Sequence, residues 1–287
     1  MTNHLAFTHA DAYPTLPVYI DGEGHTSHYR DTFLLATTSE IGQRYHLKQP
    51  NGLLIYGAPG CGKTLLAESM AQMTGLPYII VNRLALMTNH EDAPIRFAEL
   101  MEEARRQDGA IIILEDIETL LPNREAKSDG KVQNMSATLL PLVKTCGEHK
   151  TYLFATTSRP QDVDMQLAFS GYIDDVYCVD YPDEDVRETL ITTDLKRRPI
   201  GDDINIRQLV EQTADYTHQD ILSLINAVSL RCAQNNKHIQ QEDFIQYIRT
   251  TRKPFGAVVR SKYAELRKYI EGKLNTKRNN AIKGFSR

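Results

Sequence analysis

The stretch Gly52–Met70 constrains this chain more tightly than any other. The apolar run Leu53-Leu54-Ile55-Tyr56 leads into Gly57-Ala58-Pro59-Gly60-Cys61-Gly62-Lys63-Thr64, and helix formers Leu65-Leu66-Ala67-Glu68-Ser69-Met70 follow. The expected setting is strand, glycine-rich turn and helix N-terminus, and all three parts are present. The turn satisfies G-x-x-x-x-G-K-[ST]. Its glycines let successive N–H groups curl inward toward phosphate oxygens, where the helix dipole adds positive potential. The stretch Gly57, Ala58, Pro59, Gly60, Cys61, Gly62, Lys63, Thr64 and Leu65 is therefore expected to bind a nucleoside triphosphate. Lys63 reaches the β- and γ-phosphates, and the Thr64 hydroxyl ligates Mg²⁺.

Further apolar runs suited to buried parallel strands recur at Gly52–Tyr56, Tyr78–Val81, Ala110–Leu114, Tyr152–Thr156 and Val176–Val179. Helical periodicity fills the intervals, as in Ile95–Arg106 and Val132–Val143. Such alternation predicts an α/β fold, a parallel sheet with helices on both faces. After Tyr181-Pro182-Asp183 the strand signal stops. Helices are expected at Val186–Leu195, Ile206–Thr213, His218–Ala233 and Glu242–Thr250, from apolar spacing at i, i+3 and i+4. Asp183 and Glu184 suit the first helix start, and Thr217 can cap the third. Three regions result: an α/β nucleotide-binding domain with its lead-in over 1–180, a small helical domain over 181–253, and a last amphipathic helix with a basic tail over 254–287.

The 287 residues suffice for one α/β domain and a small companion. No apolar run approaches the roughly 20 residues that span a bilayer, and Met1-Thr2-Asn3-His4-Leu5 has no signal-peptide character. Cys61, Cys146, Cys178 and Cys232 are scattered, which argues against a zinc site or a disulfide frame. A cytoplasmic location is expected, with nucleus or organelle matrix left open. The net charge of −4 hides an asymmetry, because Arg252–Arg287 holds 11 Lys/Arg against Glu265 and Glu271. That end is a solvated helix and tail or a contact for nucleic acid or an acidic partner. No aromatic–basic interleaving of the kind that stacks bases is visible there beyond Tyr263 and Tyr269, so nucleic acid is not favoured.

With a phosphate loop, a second acidic motif and a helical lid in this order, the chain resembles the AAA clade of AAA+ ATPases from about Tyr19 to Tyr269. Pro50–Gly57 looks like the family's lead-in strand. Ile112-Ile113-Leu114-Glu115-Asp116-Ile117-Glu118 stands where its second motif belongs, with Pro122-Asn123-Arg124 beyond. Ala155-Thr156-Thr157-Ser158-Arg159-Pro160 resembles the sensor-1 strand end, and Tyr216-Thr217-His218-Gln219-Asp220-Ile221 resembles the sensor-2 segment of the lid. Ile20-Asp21-Gly22 stands at the adenine-contacting entry, so Asp21 and Gly22 join the implied nucleotide site.

The resemblance implies ATP and Mg²⁺ as ligands, with Thr64 and Glu115 toward the metal and Asp116, Glu115 and Ser158 as catalytic residues. The family's usual Asp-then-Glu order is reversed here. Glu115 can still reach a magnesium-bound water, whereas the shorter Asp116 must orient the attacking water from farther away. Ser158 replaces an Asn that contacts the γ-phosphate or the water. His218 replaces a Gly near the nucleotide, either contacting phosphate or facing solvent. Where the family projects two arginines into a neighbouring subunit, Phe169 and Tyr172 stand instead; Arg124 and Arg159 remain nearby in sequence as candidates, and the source of any arginine finger is left open. The pore loop Met87-Thr88-Asn89-His90-Glu91-Asp92 is short and polar, which argues against threading of polypeptide.

Three functions are consistent with these residues: a slow Mg-dependent ATPase that remodels a protein partner, an ATP-dependent switch or scaffold subunit in a hetero-complex, and a nucleic-acid-associated ATPase. A homo- or hetero-oligomeric ring is implied by the resemblance.

Overall fold

The computed structural model describes residues 25–38, 40–86, 93–123, 130–251 and 256–284. Two helices open it, α1 (His25–Thr38) and α2 (Glu40–Arg44), followed by β1 (Gly52–Gly57) and α3 (Lys63–Thr74). Next come β2 (Tyr78–Val81), α4 (Arg83–Leu86), α5 (Ala93–Arg105), β3 (Ala110–Leu114), α6 (Gly130–Lys144), β4 (Thr151–Thr157), α7 (Gln166–Phe169) and β5 (Asp175–Val179). Five helices end the chain: α8 (Glu184–Leu195), α9 (Ile206–Gln212), α10 (His218–Gln234), α11 (Gln241–Thr250) and α12 (Gly256–Gly284).

The five strands form one parallel sheet in the order β2-β3-β4-β1-β5. Strand side chains alternate between faces, so a strand covered on both sides must be apolar throughout. In β1, Leu54 enters one core and Leu53 and Ile55 the other. In β3, Ala110, Ile112 and Leu114 face the first core, and Ile111 and Ile113 the second. Phe97 and Met101 of α5 and Leu139 and Val143 of α6 close the first core. Leu66, Ala67 and Met70 of α3 close the second, with Phe33 of α1 packed edge-on to Tyr152 and Phe154 at 5.0 and 5.2 Å. Each large aliphatic or phenylalanine side chain so buried contributes on the order of 1.5–3 kcal/mol. The α/β class with helices on both faces is thus observed.

The helices after β5 have a core of their own, which includes Leu190, Leu209, Ile221, Leu224, Val228 and Phe244. Asp183 caps α8 by accepting from Val186 N at 2.9 Å. Thr217 caps α10 in a reciprocal box with Asp220. Both caps fall where the sequence placed them. Helices α1 and α2 are additional to the expected elements. No helix among the described residues is long and apolar enough to cross a membrane.

Candidate functional site

Strand order puts the site at one edge. β1 lies between β4 and β5, while the chain leaving β1 through α3 re-enters at β2, on the far side of the sheet. A crevice forms where successive connections diverge, at the carboxyl ends of the strands. Residues 57–62 leave β1 at that edge, Glu115 and Asp116 leave β3, and Ser158 leaves β4. In the parallel register Leu114 pairs with Ala155 and Tyr56 with Thr157. Glu115, Ser158 and the turn after Gly57 are therefore brought together.

Two glycines give the turn its shape. Gly60 and Gly62 have φ of +81° and +92°, the left-handed region that a Cβ penalises. Among the described residues a Cβ on Gly62 would meet nothing within 4 Å, and this leaves open space over the first turn of α3. On Gly60 a Cβ would lie 2.8 Å from Thr217 Oγ1, because α10 starts directly over the turn. Gln219 N donates to the Gly60 carbonyl at 3.1 Å. The lid and the turn are in contact through backbone.

Lys63 is 8% exposed and its Nζ donates to the Ala58 carbonyl at 3.0 Å, across the loop. Burial lowers its pKa, opposed by Cys61, Asp116 and Glu118. An anion brought to the loop would favour the protonated form further. The Thr64 hydroxyl donates to Glu115 Oε1 at 2.8 Å. That contact joins the α3 N-terminus to the end of β3, with two oxygens of the kind Mg²⁺ prefers, and residues Thr64 and Glu115 fit a magnesium complex that retains most of its waters. Asp116 is exposed and adopts φ +50°, ψ +52°, where Asp and Asn are tolerated better than most residues. Ser158 is half-buried. Cys61 is fully buried, and burial pushes its thiol up to about 12, so it is a neutral packing group in the loop wall. Leu65 is exposed on α3.

The lid corrects one expectation. His218 does not face solvent: it is 6% exposed, held inward because α10 begins against Gly60. Arg159 is 58% exposed but engaged within its own chain, with Nε 3.2 Å from Glu118 Oε1 and Nη1 3.7 Å from Asp162 Oδ2. Tyr172 is half-buried against the first core. Asp21, Gly22, Arg124 and the segment Met87–Asp92 lie outside the described residues. Sequence reasoning gave no role to Glu118, a nearly buried carboxylate bonded to Thr157 and Arg159. Its spacing of three residues from Glu115, in the 3₁₀ turn Ile117–Thr119, was the available signal.

Comparison with known proteins converges on this region. Residues 53–181 match the family described as ATPase family associated with various cellular activities (AAA). Protein SAV of Sulfolobus acidocaldarius is 30% identical over 193 residues, 67% of this chain and 25% of that protein. The cell division cycle protein 48 homolog of Archaeoglobus fulgidus is 26% identical over 193 residues, 67% of this chain and 26% of the relative. The chloroplastic ATP-dependent zinc metalloprotease FTSH 7 of Arabidopsis thaliana is 26% identical over 214 residues, covering 71% and 27%. The chain spans about a quarter of the length of these relatives.

Proposed function

Because this chain belongs to the AAA family of ATPases, we propose that it binds ATP with Mg²⁺, hydrolyses it slowly, and couples the cycle to remodelling of a protein partner. The observation that carries this reading is the 2.8 Å contact between Thr64 Oγ1 and Glu115 Oε1. It aligns the two residues expected at the metal beside a glycine turn with room for phosphates. Thr64 and Glu115 would hold Mg²⁺, which supplies charge neutralisation at the triphosphate. Loop N–H groups and Lys63 bind the phosphate oxygens, the ammonium exchanging the Ala58 carbonyl for a phosphate. Asp116 orients the attacking water, and Ser158 donates a hydrogen bond at the γ-phosphate or that water. His218 and the start of α10 close over the nucleotide. The four cysteines are free, in keeping with a reducing, cytoplasmic-type compartment.

One observation favours a second reading, an ATP-dependent switch or scaffold subunit in a hetero-complex. Residues 160–175 contain no Lys or Arg, and Tyr172 packs against its own core. A ring of identical copies would lack a cation from this segment, and an arginine supplied in trans is worth about 10³–10⁵ in rate.

Turnover measured beside Lys63→Ala and Asp116→Asn tests the enzyme reading. Wild type hydrolyses ATP. Lys63→Ala loses nucleotide affinity by about tenfold to a hundredfold, the scale of a charged hydrogen bond. Asp116→Asn keeps affinity and loses turnover by about a hundredfold or more. Wild-type turnover equal to both variants, with ATP still bound, would replace the enzyme reading by the switch.

A further inference from the structure

Ser158 is bracketed by groups to which the mechanism above assigns no role. Thr157 Oγ1 donates to Glu118 Oε2 at 2.7 Å and accepts from Arg159 N at 2.9 Å. Arg159 Nε donates to Glu118 Oε1 at 3.2 Å. Both carboxylate oxygens of Glu118 thus serve the residues on either side of Ser158, and that side chain is 3% exposed. The Ser158 carbonyl accepts from the hydroxyl of Tyr263, which reaches it from α12. Val259 and Tyr263 pack against the second core. One turn along, Arg260 lies 5.9 Å from the Tyr181 ring centroid and 4.0 Å from Asp215.

A buried carboxylate is costly unless hydrogen bonds satisfy it. Here the charge is spent on one short segment, the end of β4. Glu118 is carried by the turn that continues from Glu115 and Asp116, so its contacts join the acidic pair to Ser158 across two strand ends. We propose that Glu118 and Tyr263 are positioning residues which fix the Ser158 hydroxyl relative to Glu115 and Asp116, one from inside the sheet and one from the C-terminal helix. The inference rests on the reading of Ser158 as a γ-phosphate or water contact. Serine has a short arm and little slack, and an error of about 1 Å can cost on the order of a hundredfold in rate. In this arrangement α12 acts on the chemistry through Ser158.

The test is calorimetric affinity for ADP and for a non-hydrolysable ATP analogue, both with Mg²⁺, together with kcat and KM, on the full chain. Wild type against Lys63→Ala reports on the nucleotide site itself. Ser158→Ala gives the reference loss. Glu118→Gln, Thr157→Val and Tyr263→Phe are expected to lower analogue affinity about three- to tenfold, as for one hydrogen bond, with ADP affinity held within about twofold. Their kcat falls while KM for ATP rises no more than the analogue's Kd. Thr157→Ser keeps wild-type values. Adding Glu118→Gln to Ser158→Ala produces no further loss, because Glu118 acts through Ser158.

Unchanged analogue affinity and kcat in Glu118→Gln and Tyr263→Phe would overturn the proposal, as would equal losses for ADP and analogue or an additive double variant. If Glu118→Gln does not fold, Tyr263→Phe and Thr157→Val decide the matter by the same criteria. A wild type that binds nucleotide without turnover ends the ATPase reading, yet the ratio of affinities still judges this inference. A wild type that binds neither nucleotide ends both.

Discussion

The carboxyl edge of the sheet and the segment Gln166–Asp174 use their polar groups in opposite ways. At the edge, Lys63, Thr64, Glu115, Asp116 and Ser158 converge from three strands around an open turn. In the segment, polar groups are consumed by the chain's own architecture. Asp174 accepts from the amides of Asn51 and Gly52, and Gly52 O accepts from Asp174 N at 3.1 Å. From 160 to 175 the charged side chains are four aspartates. The polar groups that converge and those that are tied up within the chain thus lie on separate surfaces. One can be lost while the other, and the fold, persist.

The largest expected effect comes from putting cations where this segment has none. Phe169→Arg with Tyr172→Arg should raise turnover of a self-assembled sample at least about tenfold, a small part of the roughly 10³–10⁵ that an arginine finger is worth. Steady-state phosphate release over a range of protein concentrations measures it. No gain in an assembled sample would break the comparison and place the limit on rate elsewhere, with the Asp116 reach as the next suspect.

Two glycines sharpen the contrast in stability. Gly60 and Gly171 both have positive φ, +81° and +76°. Among the described residues a methyl at Gly171 would meet nothing within 4 Å, whereas at Gly60 it would press on Thr217 and Gln219. Gly171→Ala should cost about 1 kcal/mol, the left-handed penalty alone. Gly60→Ala should cost about 2–3 kcal/mol, lowering Tm by roughly 4–12 °C, and should weaken ATP binding as well. Equal Tm shifts in thermal melts would mean that the lid does not press on the turn.

The smallest effect is in alkali. Cys61 and Cys178 are pushed up to about 12 and about 11, chiefly by burial. Above pH ~8.5–9 the unfolded chain loses these thiol protons and the folded chain keeps them. The unfolded state then binds fewer protons, so stability falls as pH rises from about 9 toward 11. Urea midpoints at pH 8 and pH 10 should show the drop, and Cys61→Ala should make it shallower. A midpoint independent of pH in wild type would refute the assignment.

What could be read from sequence follows from where the signal was local. The strands were legible because burial on both faces demands uninterrupted apolar runs, and β2 and β3 fall at the expected residues. Thr217 was legible because a cap depends on its own neighbours. The opening helices were not. Apart from Phe33 and Ala36, which pack inward, α1 offers Tyr29, Leu34 and Leu35 among polar residues, and no clear stripe emerges. The orientation of His218 was illegible for another reason. Its environment is set by residues 158 positions away, where Gly60 lies under α10, and spacing within a helix carries no such information. Glu118 and Tyr263 were missed in the same way, since their partners Thr157 and Ser158 are distant in the chain.

The amide of Gln219 bonded to the Gly60 carbonyl has a mechanical consequence. Any outward swing of α10 must break that bond, and the turn after β1 is then short of a constraint at its tightest residue. Lid opening and slackening of the turn therefore happen as one event.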